Sequence, residues 1–364
     1  MHIPKPSVSW LLAFIPVTLG LEHLHAAPPA VFFSAALAII PVAALIVRAT
    51  EQLASRTGDA VGGLLNATFG NAPELIIALT AIRAGYLDMV RATLIGAILG
   101  NLLFAQGVAY LLGGLKFHTQ SFNPSASRTY STMMLLATTS LIIPSAFSRL
   151  FAAEGVVRQE QLLNIGIALL LLFAYGLYLL FSLKTHPEAF KSAEAGAGEH
   201  QAEAEAHWSL GRAVASLVGA SLLAAWMSEV LVGAAEATGK ALGMSQTFIG
   251  LVFLAIIGGA AESGSAVAMA RKNKMDLTIG ITLGSSIQIA LFVAPVLVLA
   301  SFFIAPQPLN LSFGRTEIGA LFLGMLLGTI VSGDGQSNWY KGVQLITVYA
   351  IIALMFYLMP VLSL

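Results

Sequence analysis

The sequence predicts an all-α polytopic membrane protein, and both its composition and its long apolar segments favour this class. Of its 364 residues, 57% are hydrophobic and only 10% are charged, whereas soluble domains carry about 25% charged residues. Most of the chain consists of apolar runs long enough for helices that cross a bilayer, which need about 20 residues each. The runs are continuous rather than alternating, which favours helices over the strands of a membrane β-barrel.

Charge balance and the lack of cysteine exclude several classes of function. The chain has 18 basic and 18 acidic residues and no cysteine. Zero net charge without a basic run argues against a nucleic-acid partner. Without cysteine, disulfide frameworks, thiolate metal sites and cysteine nucleophiles are excluded. The predicted surroundings are the lipid bilayer, and no cofactor is expected.

Eleven apolar segments predict about eleven transmembrane helices. In order they lie at roughly 8–21, 29–48, 60–82, 93–115, 130–148, 161–183, 210–232, 246–270, 278–304, 314–332 and 342–362. The first segment is short and is followed by Ala26 and Ala27, so a cleaved signal peptide is its alternative interpretation.

The distribution of Lys and Arg between connecting loops predicts the orientation. With the N-terminus inside, the inner loops contain Lys5, Arg48, Arg56, Lys116, Arg128, Lys184, Lys191, Arg212, Arg271, Lys272, Lys274 and Lys341, and the outer loops contain Arg83, Arg91, Arg149, Arg158, Lys240 and Arg315. This excess favours a cytoplasmic N-terminus and an external C-terminus. The small size of the loops suggests a prokaryotic plasma (inner) membrane.

One segment interrupts the apolar pattern between predicted helices 6 and 7. Residues 184–207 are rich in alanine and contain the glutamates Glu188, Glu194, Glu199, Glu203 and Glu205. We interpret this segment as a solvated cytoplasmic linker or a loose helix. The alternative is a cytoplasmic surface that senses cations or binds a partner.

Two polar stretches repeat at a distance of 188 residues without a gap. Residues 70–101 and 258–289 match at seven positions: Gly70/Gly258, Ala72/Ala260, Glu74/Glu262, Ala78/Ala266, Arg83/Arg271, Asp88/Asp276 and Gly96/Gly284. The charged matches are informative because charged residues are scarce in this chain. The two copies begin in predicted helices 3 and 8, an odd offset of five, so they cross the membrane in opposite directions.

Inverted repeats are typical of secondary transporters, which bind substrate near the midplane where the copies meet. We therefore divide the chain into an N-terminal helix at 1–28, a first five-helix repeat at 29–183, the acidic linker at 184–207 and a second five-helix repeat at 208–364.

Glu74 and Glu262 are the two ionisable residues predicted to lie deep within the membrane. A charge at the bilayer centre costs about 2.5–3.5 kcal/mol on insertion scales. No Lys, Arg or His is predicted at a similar depth to neutralise them. Two acids without a basic partner are suited to binding a hard cation or protons. The structural alternative is a pair of protonated acids bonded to nearby backbone.

Further oxygen ligands surround these acids. Asn71 lies on the same helix face as Glu74. Because Pro73 has no N–H group, the backbone carbonyl of Phe69 loses a helical partner, and glycines weaken the second helix so that the Gly258 carbonyl is another candidate. Calcium takes six to eight such oxygens. Soft or imidazole-preferring metals are disfavoured.

Two further groups of polar residues are predicted to lie outside these oxygen ligands. The first is a second polar layer in predicted helices 4 and 9, made of Asn101, Ser285, Ser286 and Gln288. Each member of this layer is as suited to hydrogen bonds between packed helices as to contact with an ion. The second group lies near helix ends and is a candidate path for ion access: Glu51, Asp59, Glu229, Glu236 and Asp334. These acids are expected at the membrane interface.

The motifs resemble those of the cation/calcium exchangers, most closely the proton-coupled calcium branch. The branch's Gly-Asn-Ala-x-Glu-Leu-Ile motif stands intact at residues 70–76. The stretches TGDAVGGLLNATF at 57–69, GMSQTFIGL at 243–251 and DGQSNWYKG at 334–342 also look like the family. The similarity extends over residues 48–362.

This resemblance implies eleven helices, with two inverted five-helix repeats after the first, and calcium export driven by inward proton flow. It also implies that Glu74 and Glu262 act as both metal ligands and proton carriers. The second motif of the family reads Gly-Asn-Ala-Ala-Glu-His, but here Gly259 and Ser263 replace its asparagine and histidine. Lys341 also stands where the resemblance implies an acid.

The function predicted is therefore antiport of calcium, or of a related cation, against protons. The first alternative is a sodium-coupled or monovalent cation exchanger of the same fold, and the second is a passive cation channel. An intramembrane hydrolase with an acidic dyad is disfavoured, because the central acids are glutamates and the chain has no Gly-x-Gly-Asp motif.

Overall fold

A computed structural model describes residues 8–57, 59–151, 157–186 and 208–359. The acidic linker predicted at 184–207 therefore lies mostly outside the described residues. The described chain is nearly all helical, which confirms the predicted fold class.

The first half of the described chain contains eight helices. After a 3₁₀ turn at Val8–Ala13 they are α1 (Phe14–His23), α2 (Pro28–Thr57), α3 (Asp59–Phe69), α4 (Ala72–Arg83), α5 (Leu87–Leu99), α6 (Gln106–Phe117), α7 (Pro124–Phe151) and α8 (Val157–Leu180). A π-helical turn at Gly100–Ala105 joins α5 to α6, so the two form one long span.

Seven helices follow the linker. They are α9 (Leu210–Leu242), α10 (Gln246–Gly258), α11 (Ala260–Ala270), α12 (Met275–Gln288), α13 (Ala294–Ile304), α14 (Arg315–Ser332) and α15 (Trp339–Leu358). A π-helical turn at Ile289–Val293 joins α12 to α13. The two short strands β1 (Thr119–Ser121) and β2 (Gln336–Asn338) pair antiparallel.

Among the described residues, eight helices are long and apolar enough to cross a membrane, and the pair α10–α11, bent by 57°, forms a ninth candidate span. The predicted segment 8–21 corresponds to the short helix α1 and its preceding turn, and the segment 60–82 corresponds to α3 and α4. The count of eleven spans stays a prediction.

The interruptions of the helices follow the 188-residue repeat. The helices after the two breaks, α4 and α11, begin at Ala72 and Ala260, and the helices after the next loops, α5 and α12, begin at Leu87 and Met275. A π turn follows each of the latter two helices. Equivalent residues therefore break the backbone in equivalent ways in both copies.

Contacts between loops show which of them lie at the same end of the molecule. At one end β1 pairs with β2, and the Lys116 ammonium donates to the Arg271 carbonyl at 3.0 Å. At the other end Arg91 donates to Asn310 at 2.6 Å. Successive loops alternate between these ends as the helix order predicts. We call the first the predicted inner end and the second the predicted outer end.

Burial distinguishes central helices from peripheral ones. In the most apolar part of the α5–α6 span 78% of residues are buried, against 22% for the span that contains α8. On α8, Leu170 and Phe173 are 67% and 65% exposed. Apolar side chains exposed on an apolar helix are those expected to face lipid rather than water. The α5–α6 span thus lies near the centre, and α8 lies at the periphery.

Candidate ion-binding site

The site begins where two helices are interrupted inside the molecule. Asn71 lies between α3 and α4 with φ −96° and ψ 25°, and Gly259 lies between α10 and α11 with φ −79° and ψ 7°. Pro73 in the first turn of α4 removes one backbone donor. Each break places the positive N-terminus of a new helix inside the protein, which favours a nearby negative charge.

Glu74 and Glu262 occupy these two helix N-termini. They are 4% and 8% exposed, so both are buried as predicted. Within the described part of the chain, both carboxylate oxygens of Glu74 and Oε2 of Glu262 have no hydrogen-bond partner. Buried polar atoms are usually paired because desolvation without a partner is costly. These oxygens are therefore available to a ligand.

The two breaks face each other. A Cβ added at Gly258 would lie 2.9 Å from Cγ of Glu74, and one added at Gly259 would lie 3.6 Å from its Oε1. The absence of side chains at these glycines therefore lets Glu74 approach the second break. Glu262 lies in the first turn of the helix that follows this second break. The structure thus brings together the two acids that the repeat predicted.

Asn71 contributes an amide at the same place. Its Nδ2 donates to Oε1 of Gln288 at 2.5 Å, while its buried Oδ1 has no partner among the described residues. This hydrogen bond fixes the amide so that Oδ1 remains available as an acceptor. Phe69 and Gly258, the predicted carbonyl ligands, are the last residues of α3 and α10. Their role as ligands stays a prediction.

The second polar layer divides into different roles. Ser285 is buried on α12 beside Glu262. Ser286 Oγ instead donates to the carbonyls of Thr282 at 2.9 Å and Ile98 at 3.5 Å, which links α12 to α5. Ser286 is therefore explained by helix packing. Asn101 lies near the acids, because its Oδ1 lies 3.8 Å from the Cβ position of Gly259, which is 3.6 Å from Glu74 Oε1.

Two of the predicted access-path acids lie at the predicted outer end. Glu229 pairs with Arg83 at 3.4 Å, and the Glu236 carboxylate accepts hydrogen bonds from Lys240 at 2.7 Å and from the Tyr86 hydroxyl at 3.2 Å. Partial burial and the neighbouring Glu236 carboxylate both raise the pKa of the Tyr86 hydroxyl. These contacts link α9 to the end of α4, and an access role stays a prediction.

The other three predicted access-path acids lie towards the predicted inner end. Lys341 binds Asp334 at 2.6 Å and donates to the Gln336 carbonyl. Burial opposes ionisation of Asp334, but the hydrogen bonds from Lys341 and from the backbone outweigh it and lower the pKa of the carboxyl. Lys341, where the resemblance implies an acid, thus fixes the β2 turn. Glu51 is half-buried on α2, and Asp59 begins α3.

A buried polar network that the sequence did not predict lies beside the site. Gln106 Nε2 donates to Ser332 and to the Tyr110 hydroxyl, which lies 3.2 Å from Ser332 Oγ. Thr282 Oγ1 lies 3.5 Å from Gln106 Oε1. The network joins α6, α12 and α14. The spacing of Gln106 and Tyr110, one turn apart within an apolar helix, was the available signal for it.

A cavity of about 220 Å³ adjoins the second break. It lies between the α5–α6 span and the α10–α11 pair and is lined by Ala97, Gly100, Asn101, Phe104, Ala255, Ile256, Gly259, Ala260 and Ser263. Its polar groups include Asn101 and Ser263, and Glu74 Oε1 lies beside Gly259. The residues that depart from the family motif therefore line this cavity.

Packing differs between the two halves of the site. A Cβ at Gly96 would lie 2.0 Å from the Leu251 carbonyl oxygen, and one at Gly250 would lie 2.4 Å from that of Met89. These two glycines let α5 and α10 touch along their backbones. We call this contact the glycine seam, and it closes the half towards the predicted outer end.

The repeat counterpart of this seam is not formed. Helix α3, the equivalent of α10, packs on α2. Gly284, the equivalent of Gly96, has no heavy atom within 4 Å of its Cβ position among the described residues outside its own helix turn. The two halves of the site are thus in different states, as alternating access requires.

The arrangement can hold a hard cation. Within the described chain no three acidic or histidine side chains converge on one point, so an ion here would combine two carboxylates with amide, carbonyl and water oxygens. Calcium accepts this mixture of six to eight oxygens. Protonation of both acids would neutralise the same site without an ion.

Comparison with known proteins gives matches over most of the chain. The family described as sodium/calcium exchanger protein matches residues 28–184 and 212–358. The Ca(2+)/H(+) antiporter of Aphanothece halophytica is 40% identical over 364 residues, covering 96% of each chain. The Ca(2+)/H(+) antiporter ChaA of Bacillus subtilis is 41% identical over 335 residues, covering 91% of this chain and 93% of that one.

A solved structure shows the same architecture. Native YfkE superposes with a TM-score of 0.83 at 35% identity, and the match covers 97% of this chain and all of that one. The resemblance indicated by the sequence motifs is confirmed. The chain belongs to the sodium/calcium exchanger protein family.

Proposed function

We propose that this protein is a secondary antiporter, not an enzyme, that exchanges calcium for protons across a membrane by alternating access. The observation that carries the proposal is the pair of buried acids at the facing helix breaks. Three of their four carboxylate oxygens have no hydrogen-bond partner among the described residues. The relatives named Ca(2+)/H(+) antiporters support the same ions.

Coupling follows from the cost of buried charge. With Glu74 and Glu262 both ionised, the site carries two negative charges in a region of low dielectric, which is strongly unfavourable. One calcium ion or two protons would remove this charge. The protein then changes its access only when either cargo is bound, so calcium and protons move in opposite directions. Two protons per calcium would make the cycle electroneutral.

The different packing of the two halves of the site supports alternating access. The glycine seam closes one side, while its counterpart on α3 and α12 is open. We propose that the cycle opens this seam and forms the counterpart by moving α3 against α12. We further propose that the membrane is a prokaryotic plasma membrane, with the N-terminus in the cytoplasm and the C-terminus outside.

Reconstitution in liposomes tests the exchange. Calcium uptake and lumenal pH are followed together under an imposed pH gradient. The proposal expects uptake coupled to proton release and stimulated by calcium on the opposite side. Sodium-dependent calcium flux that persists after the proton gradient collapses would instead identify a sodium-coupled exchanger, and flux without trans-stimulation would identify a channel.

A further inference from the structure

The two halves of the site differ in their amide groups. In the first repeat Asn71 is hydrogen-bonded to Gln288. The residues at the equivalent positions, 188 residues away, are Gly259 and Gly100. Both glycines line the 220 Å³ cavity. The cavity therefore lies where the symmetric amide pair would stand.

The cavity has polar groups at the end nearest the acids. Glu74 Oε1 and Asn101 Oδ1 both lie within 4 Å of the Cβ position of Gly259, at 3.6 and 3.8 Å. Ser263, one helical turn after Gly259, also lines the cavity. Glu74 Oε1 has no hydrogen-bond partner within the described chain and belongs to a side chain that is 4% exposed. A buried polar atom therefore points to a ligand here.

We infer that ordered water fills this polar end and completes the coordination shell of the bound cation, so that Gly259 determines the ion specificity of this protein. A buried water needs two to four polar partners and about 30 Å³. Glu74, Asn101 and Ser263 supply the polar partners that one such water molecule needs. The remaining cavity wall is apolar. This inference rests on the proposed function.

Water in place of an amide has a consequence for specificity. Magnesium releases its water reluctantly and binds with several waters retained, whereas calcium exchanges them readily for protein oxygens. A wet half-site therefore tolerates magnesium better than one completed by an amide. The wild-type protein should discriminate only weakly between the two ions.

The substitution Gly259→Asn places an amide at the position equivalent to Asn71. The backbone of Gly259, at φ −79°, is accessible to any residue, and the new Cβ would meet the Ala255 carbonyl at 3.3 Å, a tight but tolerable contact. The amide then enters the cavity beside Glu74. Because a built-in oxygen replaces an immobilised water, calcium should bind about three- to thirtyfold more tightly, and magnesium should compete less well.

Gly259→Ala is the matched control, because it adds the same Cβ without an oxygen. Calcium affinity and displacement by magnesium are measured by calorimetry on the purified protein, with exchange measured in parallel. The inference expects a higher calcium-to-magnesium ratio in Gly259→Asn only. Equal effects of the two substitutions, or an unchanged ratio in a variant that retains calcium binding, would show that the cavity is a dry packing defect or a lipid-filled groove.

The outcomes distinguish failure of the water inference from failure of the proposed calcium/proton exchange. If the wild-type protein exchanges calcium for protons and Gly259→Asn leaves the ratio unchanged, only the water inference fails. If the wild-type protein binds calcium without exchange, the proposed function fails while the binding ratios still decide the inference. If the wild-type protein binds no calcium, both fail. Thermal stability of each variant, compared with that of the wild-type protein, identifies a loss caused by misfolding.

Discussion

Gly96→Ala should open the glycine seam. The added Cβ would lie 2.0 Å from the carbonyl oxygen of Leu251 and 2.6 Å from its Cα. These are backbone atoms that cannot rotate away, so the seam must separate by about 1.5 Å to reach van der Waals contact. Overpacking of this kind costs about 1–3 kcal/mol. The equilibrium between closed and open seam should therefore shift about five- to 150-fold towards the open form.

Gly284→Ala is the matched control, because its Cβ position is open and it occupies the equivalent place in the second repeat. Thr93 is buried at the seam, next to Gly250. Because the chain has no cysteine, the substitution Thr93→Cys introduces a single thiol whose labelling rate reports how open the seam is. Labelling by an impermeant maleimide should accelerate about tenfold or more in Gly96→Ala and stay unchanged in Gly284→Ala. Equal labelling rates in the two variants would refute the closed-seam description.

Three further substitutions test separate parts of the structure. Asn71→Ala should weaken calcium binding about tenfold by calorimetry, because one oxygen of a calcium shell is lost. Ser286→Ala should lower the melting temperature but leave the calcium KM unchanged, because its hydroxyl bonds the Ile98 backbone. Asp334→Asn should lower stability by about 0.2–1 kcal/mol near neutral pH through loss of the Lys341 pair. Because the pKa of Asp334 is lowered in the folded protein, this difference in melting temperature should persist above pH ~4 and vanish as the pH falls through that pKa.

The sequence predicted the centre of the site because its signals there are strong. Acids within apolar helices are costly, so Glu74 and Glu262 stand out in a chain with few charges. The repeat then places them at equivalent positions of opposite helices. Their burial follows from the same two facts.

Other features depend on contacts between distant residues that no local pattern contains. The Asn71–Gln288 hydrogen bond joins positions 217 residues apart. The π turns and the Gln106–Ser332 hydrogen bond likewise depend on how helices meet. The glycine pattern indicated close packing, but it could not show that Gly96 packs on Leu251 and Gly250 on Met89 while Gly284 is open. Equivalent glycines of the two repeats meet different neighbours.

Glu74→Gln and Glu262→Gln test the central claim most directly, because each removes one negative charge while keeping the shape of the side chain. Glu160→Gln, in which the changed carboxylate lies 3.4 Å from Asn310 at the predicted outer end, is the control outside the site. In liposomes with an imposed pH gradient, the account predicts that proton-coupled calcium uptake is lost in both site variants and retained in the control. Calcium uptake that survives either substitution at the wild-type proton ratio would contradict the shared-carboxylate mechanism.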